Sequence, residues 1–301
     1  MATERDTYRA LRIATIVLLA MLATAVVGQA VVAGCWQTSL SAYYWTAAHG
    51  VVVGGLCAIG ACLVVYRGSS DTEDVVLGIS GYLAFVVAMV PVRPEPLCGG
   101  PGLPPWDVSA SVRNNVGAVL VAAALTELLA YLIGRRARPP RDLDGPGRFW
   151  RWVKWAVLVA VAAAYVLAPE QLEQHGHYVA ALVMFAGIVV VVVVNAFSSR
   201  REEPSSRFST AYWVVAASMV LTLVVEIVLR QGESGAERGV LVVESLLVLE
   251  FAAFWVVQTV ELWGYPTRTA RVQDLRVQAL AASAPAEDRA GDHLTRAPHS
   301  G

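Results

Sequence analysis

The chain has 301 residues, of which 56% are hydrophobic and 16% are charged, and its mean hydropathy is +0.54. A water-soluble domain carries about 25% charged residues, so this composition excludes an ordinary soluble protein and indicates a surface that faces lipid. The net charge of −1 offers no basic surface for a polyanion, and no nucleic-acid partner is expected.

Eight apolar segments are long enough to cross a bilayer as helices, at about 20 residues each. They are 13–33, 47–66, 75–92, 116–134, 153–168, 178–197, 210–229 and 240–262. Runs such as Val189 to Val194 lack the period-two alternation of a membrane-spanning strand. The sequence therefore predicts an all-α, polytopic transmembrane helical bundle over 13–263, a short N-terminal segment 1–12, and a disordered tail 264–301.

Basic residues are concentrated on one side of these predicted spans. The densest group, at 135–154, covers the loop between the fourth and fifth spans and the first two residues of the fifth, and includes Lys154, the one lysine of the chain. The opposite side keeps only Arg93, Arg113, Arg230 and Arg238. Loops rich in lysine and arginine stay in the cytoplasm, so both termini are predicted to be cytoplasmic.

Cys35, at the end of the first span, and Cys98, in the loop 92–115, lie on the predicted outer side. Disulfides persist outside the reducing cytoplasm, which predicts a Cys35–Cys98 bridge. Alternatively, the segment Val32 to Cys35 is a lipoprotein cleavage site behind a basic N-terminus. The preceding apolar stretch is longer than the roughly 7–15 residues of a signal peptide, which favours an uncleaved helix.

The short outer segment between the first two spans is rich in aromatic residues. These are Trp36, Tyr43, Tyr44 and Trp45. Such residues usually form a belt at the membrane interface. The alternative is a binding lid over His49, in which Tyr43, Tyr44 and His49 contact a ligand.

Two carboxylates, Glu127 in the fourth span and Glu250 in the eighth, are predicted to lie near the middle of the membrane. A charge there costs about 2.5 kcal/mol or more, and the sequence offers no basic residue at that depth. Each acid is therefore expected to be protonated and hydrogen-bonded, with Gln258, Thr126 or Asn195 as candidate partners, or to line a polar cavity. Gln258 follows Glu250 by eight residues, which places both on one helical face.

Three other acids in the spans are expected near the membrane boundaries. Glu226 and Glu244 lie toward the outer side and Glu261 toward the cytoplasm. Side chains at such positions can reach the interface, so structural roles are expected for them.

A possible metal site precedes the sixth span, where Glu170, Glu173, His175 and His177 cluster. A catalytic zinc site needs three such ligands and one open position. The spacing matches no established zinc motif, and a solvated acidic loop is the alternative interpretation.

Several short motifs occur in the first three spans and in the sixth. They are Ser39–Thr46, Gly54, Ala58–Gly60, Tyr66–Gly68, Glu73–Asp74, His177–Ala181, Met184–Phe185 and Asn195–Ala196. In these motifs the chain resembles a widespread group of actinobacterial multi-pass integral membrane proteins that have no established activity. The resemblance implies a bacterial plasma-membrane protein and implies nothing about chemistry.

Three functions remain open from the sequence. The first is a small-molecule or lipid-handling carrier that uses Glu127 and Glu250 as proton- or cation-responsive groups. The second is an outer-leaflet enzyme with a His/Glu site, and the third is a membrane sensor or scaffold. No nucleotide-binding loop, zinc-protease helix or catalytic triad occurs, so no catalytic residue and no cofactor is assigned. The expected partners are the lipid bilayer, an unidentified small molecule or lipid, and a second copy of the chain in a homo-oligomer.

Overall fold

The computed structural model describes residues 2–92, 97–99, 107–137, 145–202, 207–231 and 237–283. Every regular element within these residues is helical. The helices are α1 (Ala2–Ala33), a short 3₁₀ helix (Ser41–Trp45), α2 (His49–Val65), α3 (Asp71–Met89), α4 (Val108–Ala137), α5 (Gly145–Leu167), α6 (Pro169–Glu202), α7 (Arg207–Gln231), α8 (Glu237–Glu261) and α9 (Arg268–Ser283).

Seven of the described helices, α1 and α3 to α8, are long and apolar enough to cross a membrane. The prediction of an all-helical, membrane-spanning protein is confirmed at this level. The second predicted span is a shorter apolar helix, α2, of 17 residues. At 1.5 Å per residue it is about 26 Å long, slightly less than the hydrocarbon core of about 30 Å.

Both terminal segments differ from their sequence-based description. α1 begins at Ala2, so the segment 1–12 continues the first span as a helix. α9 forms within the segment that was expected to be disordered, because Arg268 at its start is anchored in the bundle by buried hydrogen bonds. Residues 284–301, together with Arg93, lie outside the described part of the chain.

Six helices form a closed ring in the order α1, α2, α3, α6, α7, α8, in which each helix packs against the next and α8 returns to α1. α4 and α5 lie outside this ring and pack against α3. The ring encloses the main apolar core, to which Leu77, Val191 and Phe254 contribute fully buried side chains. Clefts between the helices of such bundles are where ligand sites are usually built.

Two glycines let α2 and α3 approach closely. A Cβ atom added to Gly60 would lie 2.8 Å from the carbonyl oxygen of Gly81, and one added to Gly81 would lie 2.6 Å from that of Gly60. No side chain fits there, so the backbones themselves are in contact, as is common between membrane helices. This contact fixes the position of α2, which carries one wall of the cavity described below.

The ends of the ring helices meet in two groups. At one end, which we call the arginine end, Arg12 of α1 donates hydrogen bonds to the carbonyl oxygens of Leu262 and Pro266, just after α8, and to Tyr66 Oη after α2. At the other, the disulfide end, Cys35 is bonded to Cys98. α1, α2 and α8 therefore all extend from one end to the other.

Candidate functional site

A cavity of about 130 Å³ lies between the ring helices and extends to the 3₁₀ helix at the disulfide end. Its lining comes from α1, α2 and α3 on one side and from α6, α7 and α8 on the other, and is almost entirely apolar. Representative lining residues are Leu22, Leu56, Leu63, Phe185, Val248 and Phe251. A small apolar chamber inside a helical bundle is the usual form of a ligand site.

Three charged side chains stand at one end of the cavity: Glu226 and Arg230 of α7 and Glu244 of α8. Arg230 lies between the carboxylates, with Nε donating to Glu226 Oε1 and Nη2 donating to Glu244 Oε1 at 2.9 Å. Its guanidinium also lies 4.8 Å from the ring centre of Tyr178. This cluster gives an apolar cavity one polar, charged end.

Glu244 joins this cluster to the 3₁₀ helix. Its Oε2 accepts hydrogen bonds from the backbone amides of Leu40, at 2.7 Å, and Ser41, at 3.4 Å. The amide of Leu241 donates to the carbonyl oxygen of Thr38 at 3.1 Å. The segment before the 3₁₀ helix is therefore attached to α8 at the mouth of the cavity.

His177 holds the same segment from α6. Its Nδ1 lies 2.7 Å from the carbonyl oxygen of Val90 and its Nε2 lies 2.8 Å from Ser41 Oγ. A carbonyl oxygen can only accept, so the Nδ1 atom carries a proton and Nε2 of a neutral ring accepts from the serine hydroxyl. His177 is thus a structural link between α3, α6 and the 3₁₀ helix.

The 3₁₀ helix covers the cavity with aromatic residues. Tyr43, Tyr44 and Trp45 are buried, and Tyr44 lines the cavity. Burial raises the pKa of the Tyr43 and Tyr44 phenols, which keeps both neutral. Of the four aromatic residues considered for an interfacial belt, Trp36 alone is exposed.

The other two residues suggested for a lid, Tyr43 and His49, are not among the residues that line the cavity. His49 Nδ1 lies 2.7 Å from the carbonyl oxygen of Tyr44, and its ring lies edge-on to the Tyr44 ring. Tyr43 Oη accepts from the amide of Gln37. Tyr44 is therefore the one member of the suggested trio that reaches the cavity.

A disulfide between Cys35 and Cys98 closes the loop in front of the 3₁₀ helix, joining the pair that the sequence suggested. Gln37 reinforces it: its Nε2 donates to the carbonyl oxygen of Cys98 at 3.1 Å, and its Oε1 accepts from the Cys98 amide at 3.2 Å. Such a bond is expected in an oxidising compartment.

Glu127 and Glu250 do not line the cavity. Glu127 lies on α4, outside the ring, and both of its carboxylate oxygens lie 2.7 Å from Lys154 Nζ. The expectation that no basic residue reaches Glu127 is therefore wrong: α5 begins at Gly145, which carries Lys154 more than two turns into the helix.

Glu250 meets the expectation of hydrogen bonding, although with partners that the sequence did not single out. Its Oε1 accepts from the hydroxyls of Ser218 and Thr222 on α7, the latter at 2.9 Å. The two acids therefore lie at separate places, one outside the ring and one between α7 and α8.

The suggested metal site is not assembled. α6 begins at Pro169, so Glu170, Glu173, His175 and His177 belong to one helix rather than to a loop. At 100° per residue His175 points away from the other three, and Glu173 accepts from Ser109 at 2.7 Å. Among the described residues no three His, Cys, Asp or Glu side chains are placed to bind one metal ion.

A buried polar network occupies the arginine end. Both oxygens of Glu261 lie 2.6 Å from the guanidinium nitrogens of Arg268. Ser199 and Tyr212 donate to the same carboxylate, at 2.9 and 2.7 Å. Glu261 was expected to reach the membrane boundary, but it is instead buried inside the ring with its own cation.

Gln258 belongs to this network and not to Glu250. It is fully buried, and its Nε2 donates to Glu73 Oε1 at 2.9 Å. Asn195 donates to the same oxygen at 3.1 Å, and its Oδ1 accepts from Arg268 at 3.2 Å. Ser70 caps α3 by accepting from the Glu73 amide, which places Glu73 at the helix end that faces the network.

The sequence missed Glu226, Arg230 and Glu244 as site residues. Each was assigned to the outer boundary by depth alone, yet Glu226 is only 5% exposed. The available signal was the spacing of Glu226 and Arg230, an i,i+4 pair on α7. Comparison with models of protein families, with curated proteins and with solved structures finds no match to this chain.

Proposed function

We propose that this membrane protein is a small-molecule or lipid-handling carrier whose binding site is the cavity inside the helix ring. The observation that carries the proposal is an apolar chamber with a charged cluster, Glu226–Arg230–Glu244, at one end. Apolar walls with a few convergent polar groups are the usual composition of a site for an amphiphile.

The size of the cavity limits the ligand. Its 130 Å³ is slightly less than an engineered apolar cavity of about 150 Å³ that binds benzene. An alkyl segment of about six carbons therefore fits inside, with the polar end of the molecule at the charged cluster. A longer lipid would place only part of one chain in this space.

The position of the cavity supports carriage as well as binding. It lies between α1–α3 and α6–α8, two sets of three helices in a closed ring. Transporters often place substrates between two such halves, which rock around the site. Glu127 and Glu250 have no part in this proposal, because neither touches the cavity.

The enzyme alternative has no comparable support, since its ligands are not brought together in the described residues. We further propose eight membrane crossings, including the short α2, with both termini in the cytoplasm of a bacterial cell. The support is the concentration of basic residues on one side and the meeting of α1's start with α8's end at Arg12.

Photolabelling tests the binding site. A six-carbon alcohol with an alkyl diazirine is expected to label cavity residues, with the modified peptides identified by mass spectrometry. Val248→Trp fills the cavity and should abolish this labelling, whereas Leu249→Trp should not. Leu249 is the matched control, because it is adjacent on α8 but 62% exposed on the outer surface. Equal labelling of both variants would refute the site.

Carriage is tested separately in liposomes that contain a short-chain phosphatidylethanolamine with a fluorescent acyl chain. The wild-type protein is expected to speed exchange of this lipid between leaflets, measured by dithionite quenching, and Val248→Trp to slow it. If the wild type gives no acceleration over protein-free liposomes, the protein is not a carrier of such lipids.

A further inference from the structure

One carboxylate oxygen at the charged end of the cavity has no hydrogen-bond partner. Glu226 is 5% exposed, and its Oε1 accepts from Arg230. Its Oε2 is fully buried and receives no hydrogen bond. Leaving a buried charged acceptor unpaired is costly, by more than the roughly 1–3 kcal/mol of a neutral group. The side chain that carries this atom lines the cavity, so a turn of the Glu226 carboxylate would present Oε2 to a donor inside the cavity.

The neighbouring groups are already satisfied. Glu244 uses both oxygens, one for Arg230 and one for the amides of Leu40 and Ser41. His177 uses both ring nitrogens, for Val90 and Ser41. Glu226 Oε2 is therefore the acceptor that remains for a ligand.

The charges around this atom favour a cation over an anion. Two carboxylates, Glu226 and Glu244, flank one guanidinium, Arg230, which is bonded to both. An ionised cluster therefore has a net charge of −1, and low-dielectric walls strengthen its field.

We infer that the ligand of the cavity is a small amphiphile with a protonated amine, whose ammonium group donates to Glu226 Oε2 while its alkyl part occupies the apolar chamber. The inference rests on the proposed binding site and adds the chemical class of the headgroup. An ammonium supplies both the missing donor and the missing charge. A carboxylate or phosphate supplies neither.

Competition against the diazirine alcohol tests this inference in wild-type protein. Hexylamine, hexanol and hexanoate have the same alkyl chain and differ in the headgroup. Hexylamine is expected to block labelling at a concentration at least about tenfold lower than hexanol, because a hydrogen bond to a charged group is worth about 1.5–3 kcal/mol. Hexanoate is expected to be the weakest competitor.

Variants of Glu226 test whether its carboxylate causes the preference for hexylamine over hexanol. Glu226→Gln should reduce the advantage of hexylamine to less than about threefold, and Glu226→Asp, which keeps the charge, should retain most of it. Glu250→Gln is the control, because this acid also lies between α7 and α8 but does not line the cavity. It should leave the order of competitors unchanged.

The failures of the two proposals are distinguishable. Labelling that Val248→Trp does not affect would refute the binding site itself. Labelling that depends on the cavity, but is blocked equally by hexylamine and hexanol or best by hexanoate, would overturn the amine assignment and leave the cavity as a site for another headgroup. Loss of the amine preference in Glu250→Gln would also overturn it.

Discussion

The ion pair between Arg268 and Glu261 is expected to stabilise the arginine end strongly. Arg268 is 1% exposed, and the two side chains meet through two contacts of 2.6 Å. Unit charges about 4 Å apart interact by roughly 4 kcal/mol at an effective dielectric constant of about 20. Breaking a buried pair by removing one partner costs about 3–5 kcal/mol, because the other charge stays buried.

We therefore expect Arg268→Leu and Glu261→Leu each to lower the free energy of unfolding by about 3–5 kcal/mol. The double variant should lose less than the sum of both, by at least about 2 kcal/mol, because it leaves neither Arg268 nor Glu261 buried without the other. Glu202, 3.8 Å from Arg268, loses a partner in the double variant as it does in Arg268→Leu. Unfolding in mixed micelles at increasing SDS mole fraction measures these values. Arg276→Leu is the control, since Arg276 is an exposed residue on the same helix, α9.

Additive effects of the two single substitutions, within about 0.5 kcal/mol, would refute the reasoning. They would mean that each charge finds its stabilisation elsewhere: Glu261 from Ser199 and Tyr212, and Arg268 from Asn195. A fall in the free energy of unfolding of less than about 1 kcal/mol in either single variant would also refute it. Such a value is typical of an exposed salt bridge, whereas this pair is buried.

Three further outcomes are expected. Gly81→Ala should destabilise the protein by about 1–3 kcal/mol in the same SDS titration, because the added Cβ would overlap a backbone oxygen. Gly78→Ala is the control and should be neutral, because the space around Gly78 is open. Equal effects of the two substitutions would contradict the close contact. Cys98→Ser should lower the free energy of unfolding by at most about 4 kcal/mol, from the entropy of a loop closed over 63 residues. Wild-type protein reduced with dithiothreitol should be as stable as this variant, and a lower stability of the variant than of the reduced wild type would contradict the explanation. Glu127→Gln with Glu250→Gln should leave photolabelling of the cavity unchanged, and a lost signal would mean that these acids act on the site from a distance.

The broad architecture followed from the sequence because lipid imposes a simple rule. Apolar segments must pair their backbone groups internally, so segment length alone predicted helices at positions such as α6 and α7. The bridge between Cys35 and Cys98 could also be suggested, since both lie on the side with few basic residues. Such inferences need only composition along the chain.

The site could not be predicted, because it depends on which faces of distant helices meet. Glu127 and Glu250 were paired because both are predicted to lie near the middle of the membrane. However, α4, which carries Glu127, lies outside the ring that contains α8. Lys154 was counted with the basic residues of the loop before the fifth span. In the structure α5 begins at Gly145, and the Lys154 amine therefore reaches Glu127. Glu226 was assigned to the boundary, yet the ring closes around it and leaves it buried.

The bonds that Arg12 makes to the carbonyl oxygens after α8 bear on how the protein is made. Arg12 is fully buried, and its acceptor Leu262 lies 250 residues later in the chain. At about 5–20 residues per second of synthesis, Leu262 is synthesised roughly 12–50 seconds after Arg12. During this time Tyr66, 54 residues away, is the one described side-chain partner of Arg12 already synthesised. The contact of Arg12 with the residues after α8 therefore forms only once Leu262 and Pro266 have been synthesised, which makes closure of the ring between α8 and α1 a late step of folding.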